Sequence, residues 1–561
     1  MKFFLTTIFI ILLSANLRSQ NTNADSPFGM DPAQIVKTGY FQSHFADAQT
    51  LGVKWNRPSR FLFWSEVQPN LNTSTLIFGF YDTYFGEVPI GINIVANVAP
   101  APNPVTNYTL PNSYLPIDTV KYIAFVKAAV ERYDGDGVND MPQLSNPILY
   151  WQVGNEPNCI VKQDFAKLQK MTYKAIKEVC PQCKILIGGT AQPIHSGQGF
   201  TTNKDDYITG FSNTYKPILQ ELNGGGFDIF DFHWYGNATG DYKLIQPVYE
   251  HLKLILDSFN FNNIPIWITE MGSYSGFPAS EAGTPYSYQT ELQQASDYLK
   301  RFVFSLSIGV KKVFPAFGLM EGLTNTDGYF DHTGFIYDGV GSNDLGLGEK
   351  KLSYYTYKKM VEILEGSNWS NIVTVQNDTV NNVFVYKFTK NGNPIYVAWW
   401  DYFSNKGYNP GDSIKITING LSSTAKKSIT QAIPNDTSGI SITNYNTAFK
   451  IDTVSVQGNS VSFYLKERPL FVEELNTTSA DETKGDNGVK VYPNPSNSTF
   501  NFQLPESNCQ IKISDVMGNL IFEKTLSSKQ ETLNLNLTGG IYLYQIRNEQ
   551  QVIGNGKLII Q

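Results

Sequence analysis

At 561 residues the chain is longer than one ordinary core accommodates, so several domains are expected. Hydrophobic residues at 41%, aromatics at 14% and charged residues at 17% exclude a largely disordered chain. The net charge of −7, with no basic stripe, argues against a nucleic-acid partner.

In chain order, Lys2 precedes an apolar run over residues 3–13, and small or polar residues follow from Ser14 to Ser19. This is the pattern of a cleaved secretory signal over residues 1–19, too short to span a bilayer. No later stretch is long and apolar enough, so the mature protein is expected to carry no transmembrane span. Strand-like apolar runs then occupy residues 27–30, 52–57, 91–99, 148–155, 184–190, 228–236, 264–272 and 312–317. Helical spacing separates them. Asp118 is a candidate N-cap for a helix with Val120, Ile123, Phe125 or Val126, and Val130 on one side. A second helix carries Phe165, Leu168, Met171, Ala175 and Val179, and a third covers 290–308. Eight strands alternating with helices predict an α/β domain, a (β/α)8 TIM barrel over residues 27–365.

In such a barrel every strand's carboxyl end reaches one face. The fourth strand delivers Asn155 and Glu156 just after Gly154, and the seventh ends in Thr269-Glu270. Burying an ionised carboxylate costs several kcal/mol unless it is paired, so the neighbours of each must set its protonation state. Arg57, His233 and Tyr235 are expected on the same face. Retaining hydrolysis of a glycosidic bond needs two carboxyl groups roughly 5 Å apart, one protonated and one ionised. Repulsion between them raises one pKa.

Three further features call for a reading. Cys180 and Cys183, in an exported chain, are expected to form a local disulfide; Cys159 and Cys509 lie too far apart in the sequence to suggest a pair. The run from Asp134 to Asp140 has the oxygen density of a calcium loop but lacks the spacing of an EF-hand, and reads as an acidic turn. Accordingly no metal and no cofactor are expected. Beyond Ser370, alternating strands predict a β-sandwich over 370–475, followed by a polar linker at 476–488 and a small C-terminal all-β (Ig-like) domain over 489–561.

Asn155-Glu156 and Glu270, with the strand Gly52-Val53-Lys54-Trp55-Asn56-Arg57, Trp64 and the closing Leu470-Phe471-Val472-Glu473, resemble clan A glycoside hydrolases, nearest the xylosidase and iduronidase branch. The resemblance implies that Glu156 is the acid/base and Glu270 the nucleophile, that Asn155 binds the sugar 2-hydroxyl, and that Tyr235 orients Glu270. It implies His233 and Arg57 as pocket residues. Where many clan members end strand eight on tryptophan, this chain has Phe317, so the sugar platform falls to Phe317, Trp64 or Trp234. Trp151 and Trp267, within strands, read as core. Tyr492-Pro493-Asn494-Pro495, Asp515-Val516-Met517-Gly518 and Gly539-Gly540-Ile541-Tyr542 resemble the C-terminal sorting domain of type IX secretion. The expected function is a secreted retaining glycosidase acting on polysaccharide or oligosaccharide, released or held at the cell surface, with the type IX machinery as a partner. The competing class is a surface protein that binds carbohydrate, or serves adhesion, without hydrolysis.

Overall fold

The computed structural model describes residues 24–475 and 489–560, apart from 38–39, 103–106, 158–160, 192–193, 196–198, 201–203, 280–285, 325, 342, 405–408, 423–424, 495, 516–517 and 549–551. The expected signal, the linker and Cys159 lie outside the described residues.

Eight short strands form a closed parallel ring: β1 (Gly29–Met30), β2 (Trp55–Asn56), β3 (Asn93–Ala99), β4 (Tyr150–Val153), β5 (Lys184–Ile187), β6 (Phe230–Tyr235), β7 (Ile266–Gly272) and β8 (Val313–Pro315). Pairing runs in that order from β1 to β5 and from β6 to β8. Parallel bridges Leu186 to Ile229 and Thr190 to Phe232 join β5 to β6, and Phe28 to Val313 and Asp31 to Ala316 join β8 back to β1. Strands buried on both faces read as continuous apolar runs, which is why all eight fall within the runs marked in the sequence.

A helix follows each strand: α1 (Phe45–Leu51), α2 (Gly79–Gly86), α3 (Thr119–Tyr133), α4 (Lys162–Val179), α5 (Lys204–Leu222), α6 (Ile245–Ser258), α7 (Glu291–Ser307) and α8 (Leu352–Leu364). Asp118 caps α3, accepting a hydrogen bond from the Lys121 amide. Of the expected stripe of α3, Phe125, Val126 and Val130 are buried, together with Tyr122, Ala129 and Tyr133, Ile123 is half-buried, and Val120 is exposed. The correction arises because the helix turns its aromatic side to the ring and leaves the β-branched first turn in solvent. A hairpin of Gln34–Lys37 with Tyr40–Ser43, which no alternation in the sequence announces, follows β1.

After α8 come β9 (Val373–Asp378), β10 (Val383–Lys390), β11 (Asn393–Trp400), β12 (Ile414–Ile418), β13 (Lys427–Gln431), β14 (Ile451–Val454), β15 (Val461–Leu465) and β16 (Leu470–Glu474). They form an antiparallel sheet in the order β9-β10-β11-β16-β13-β14 and a second pair, β12 with β15. Alternate residues of β10 and β11 go to different cores. Val383, Val385, Tyr396, Ala398 and Trp400 pack with β12 and β15. Phe384, Tyr386, Phe388, Val397 and Trp399 join the core of the ring and its helices. Polar ties add to this: Trp399 Nε1 donates to Tyr242 Oη at 2.9 Å, and buried Asp401 pairs with Lys243 at 2.7 Å and Lys300 at 3.2 Å. Ring and sheets accordingly form one compact unit up to Glu474.

The second unit begins at Leu475. Its strands form a sheet of Lys490–Tyr492, Thr499–Gln503 and Gln530–Asn534, and another of Leu520–Leu526, Cys509–Ser514, Gly540–Arg547 and Val552–Ile560. Phe500, Phe502, Ile511, Ile513, Leu533, Ile546 and Leu558 lie in a core of its own. Cys180 and Cys183 are bridged, with Cα atoms 5.3 Å apart, while Cys509 is free and buried. Among the described residues no helix is long and apolar enough to cross a membrane.

Candidate active site

Residues two apart along a strand share a face, and this places the site. On β6, Phe230, Phe232 and Trp234 pack outward with the helices, so Asp231, His233 and Tyr235 face the interior. Their neighbours leave room for them. A Cβ on Gly189 would stand 2.1 Å from His233 Nε2, and one on Gly272 would stand 2.4 Å from the Tyr235 ring.

On β4, Gln152 faces inward and Gly154, at φ +66°, turns the chain so that Asn155 and Glu156 follow over the mouth. Glu156 itself has φ +43°, a conformation costing of order 1–3 kcal/mol that persists only where surroundings hold it.

On β7 alternation alone would send Glu270 outward if Thr269 faces in. The register slips between the two pairs Phe232 with Ile268 and His233 with Glu270, so Thr269 is an extra residue. A matching slip occurs against β8 between Ile268 and Met271. This bulge re-aims the strand, and Thr269 and Glu270 both reach the interior.

There, Glu270 is 2% exposed and densely bonded. Arg57 Nη1 donates to its Oε1 at 2.8 Å, the Tyr235 hydroxyl donates to Oε2, and His233 Nδ1 lies 3.3 Å from Oε2. Burial works against its charge, but His233, Arg57 and the Tyr235 hydroxyl prevail and hold its pKa below the ordinary glutamate value. Glu156 is more open, with about a third of its side chain exposed, and its Oε1 lies 2.6 Å from His233 Nδ1. One oxygen of each glutamate and a His233 nitrogen lie within 4.8 Å of one another.

His233 is wholly buried between these carboxylates. Burial opposes its charge, yet Glu270, Asp231 and Glu156 push it up to about 10. Arg57 is equally enclosed and spends its guanidinium on four partners: Gln152 at 2.8 Å, Asp31 at 3.0 Å, Glu270, and Asn155 at 2.7 Å. Burial, opposed by Arg57 and reinforced by Glu270, pushes Asp31 up to about 8. Asp231 accepts from Gln152 at 2.6 Å and from the Thr269 hydroxyl at 2.6 Å.

Glu156, Glu270, Arg57, Asn155, His233 and Tyr235 thus converge in one network. Trp64 and Trp234 do not. Both have no exposure: Trp64 packs on Tyr108 and Tyr122 and donates to Gln68 Oε1 at 2.7 Å, and Trp234 packs on Tyr207 among the helices. Neither offers a face to a ligand, which corrects their assignment as a platform. Phe317 is half-buried and stacks parallel to Tyr235 at 6.1 Å, edge-on to Phe330 at 4.8 Å.

Asp31, Gln152, Asp231 and Thr269 belong to the network without having been singled out in the sequence. Asp231 carried a usable signal, since Phe-Asp-Phe-His-Trp-Tyr alternates strictly. The donor set of Glu156, His233 and Glu270 has the chemistry to hold a metal ion. However, Arg57 and His233 already supply positive charge to Glu270.

The chain is similar in fold to solved carbohydrate-active enzymes. A family 39 glycoside hydrolase from Bacteroides cellulosilyticus WH2 superposes with a TM-score of 0.53 at 16% identity, over 77% of this chain and 77% of that one. A glucosidase from Croceicoccus marinus gives 0.52 at 14% identity, over 81% and 97%. Residues 490–561 match the family model of the secretion system C-terminal sorting domain. No curated protein matches by sequence. The first unit therefore has a fold that glycoside hydrolases use, and the tail is a sorting domain.

Proposed function

We propose that the protein is a secreted retaining glycoside hydrolase of clan A, built on a (β/α)8 barrel, in which Glu270 is the nucleophile and Glu156 the acid/base. The observation that carries this reading is the pair of glutamate oxygens within 4.8 Å of each other, the close spacing of double displacement rather than the wider gap that admits a water. The two environments divide the roles. Glu270, held ionised by Arg57, His233 and Tyr235, attacks the anomeric carbon. Glu156, open to the mouth, gives its proton to the leaving oxygen and then takes one from the incoming water. His233 Nδ1, 2.6 Å from Glu156 and 3.3 Å from Glu270, contacts both carboxyl groups and so links the two.

Asn155, oriented by Arg57 at 2.7 Å, supplies the contact to the sugar 2-hydroxyl, and Phe317 replaces tryptophan as the platform. Plant, algal or microbial polysaccharide is the substrate class. Residues 1–19 direct export, and the tail over 490–561 directs type IX passage to the outside or the cell surface.

The test is reducing-sugar release from a broad glycan panel by the full chain beside Glu270→Gln and Glu156→Gln. Activity that collapses in both supports the pair. Activity that survives Glu270→Gln rejects the nucleophile, and binding of a glycan with no turnover favours a non-hydrolytic surface protein.

A further inference from the structure

The loop between α3 and β4 lies at the amino ends of the strands, away from the glutamates. Asp134 closes α3, and Asp136 and Asp140 follow in the turn Asp134-Gly135-Asp136-Gly137-Val138-Asn139-Asp140. One carboxylate oxygen from each of the three aspartates lies within 4.8 Å of the other two. Glu131 stands one turn back on the helix.

This is an adverse place for acids, because the carboxyl end of a helix carries the negative end of its dipole and favours bases. Arg132, in the last turn of α3, is committed to Asp82 at 2.6 Å. More tellingly, Asp134 is only 4% exposed, and its Oδ2 is enclosed without a hydrogen-bond partner. An enclosed carboxylate oxygen with no donor costs several kcal/mol unless a cation or a proton reaches it. Backbone amides of the same turn bond to four of the other oxygens: Gly135 and Gly137 donate to Asp140 at 3.1 and 2.9 Å, Val138 to Asp136 at 2.8 Å, and Asp136 to Asp134 Oδ1 at 3.4 Å. These bonds fix the loop but bring no cation.

We propose that Asp134, Asp136 and Asp140 hold a calcium ion with a structural role. The donors are hard oxygens, with no nitrogen or sulfur among the three, which excludes the preferences of zinc and copper. A hollow of about 410 Å³ lined by Asp136, Asp140, Met141, Gln143 and Pro147 opens beside them and leaves room for water ligands. Calcium, with its larger and more flexible shell, suits such a site better than magnesium, which demands near-octahedral geometry. The ion would fasten a loop whose ends are already tied to the helix: the Met141 amide donates to the Arg132 carbonyl and the Ile148 amide to that of Tyr133, both at 2.7 Å. It thereby steadies the entry to β4, the strand that carries Glu156.

The spacing alone reads as an acidic turn; the burial of Asp134, which no spacing reveals, is what points to an ion.

Calorimetric titration of the EDTA-treated full chain with CaCl2 alone tests the site, independently of any glycan. The expected result is one equivalent bound with a Kd between about 10⁻⁵ and 10⁻³ M, and magnesium at least about tenfold weaker. Saturating calcium should raise the melting temperature by about 3 °C. Asp136→Asn, at an exposed position whose side-chain oxygen can still accept from Val138, should fold normally in EDTA by circular dichroism. It should weaken calcium at least about tenfold and abolish the shift in melting temperature. Asp140→Asn should also weaken calcium at least about tenfold, with the loss of one of the two acceptors for Gly135 and Gly137, and Glu156→Gln should bind calcium like the parent. No binding up to about 10 mM calcium would overturn the proposal, as would binding that both aspartate variants retain or that Glu156→Gln removes.

Discussion

The upper and lower halves of the ring interior are built by the same strands and have opposite chemistry. The lower layer is Trp55, Val95, Tyr150, Leu186, Ile229, Trp267 and Phe314, with Trp55 edge-on to Trp267 at 5.3 Å. Lys312 seals it from beneath, its ammonium 4.3 Å from the Trp55 ring. Two residues further along the same strands stand Arg57, Asn97, Gln152, Asp231 and Thr269, which interlock by hydrogen bonds. A single step of the strand period therefore separates an apolar floor from a charged site. The floor excludes water from below, so the ion pairs above it act in a weakly screened medium. The two layers are expected to fail differently when altered.

The largest effect falls on the upper layer. Glu270→Gln keeps the side-chain volume but removes the attacking charge, and kcat/KM on any substrate found is expected to drop by about 10⁴-fold or more with the fold intact. A loss under about tenfold would show that the charged layer does not perform the chemistry.

Arg57→Ala is next, because it leaves Asp31 and Glu270 buried with no guanidinium between them. Breaking a buried pair costs about 3–5 kcal/mol, read as a lower denaturation midpoint together with reduced activity. An unchanged midpoint would mean that water or protons replace the arginine freely.

The pH dependence of stability isolates His233. Its pKa is raised from 6.5 to about 10, so its contribution is fully present below pH 6.5 and is lost as pH rises through about 10. Urea denaturation across that window should show stability falling by on the order of a few kcal/mol, with a flatter profile in His233→Asn. Equal slopes in both proteins would contradict the charged imidazolium.

The smallest effect belongs to the floor. Trp267→Phe should cost about 1–2 kcal/mol of stability by loosening the packing on Trp55 and Phe314, while kcat stays within about twofold. A large fall in kcat without loss of stability would mean that the layers are not separable.

Much of this arrangement was legible in the sequence, for reasons that differ by residue. All eight strands lie within apolar runs because a parallel ring buries both faces of each. Arg57, His233 and Tyr235 follow from strand-end position combined with alternation. Trp234 was misplaced by position alone, since it lies between His233 and Tyr235 and must face the other way. Trp64 sits at the start of a four-residue helix, where strand parity gives no direction. Glu270 is expected at the mouth from its strand-end position, but how it turns inward beside Thr269 depends on a bulge that only pairing with β6 and β8 reveals. Asp31 follows β1 by one residue, and the β1–β2 register, with Met30 opposite Asn56, carries it beside Arg57.

The measurement that tests the account most directly is the stereochemistry of the first product, followed by proton NMR during turnover of a glycan identified on the panel. One oxygen of each glutamate within 4.8 Å of the other is the close spacing that suits direct attack by Glu270, so the account predicts an anomeric configuration identical to that of the substrate. A product formed initially with inverted configuration would contradict it.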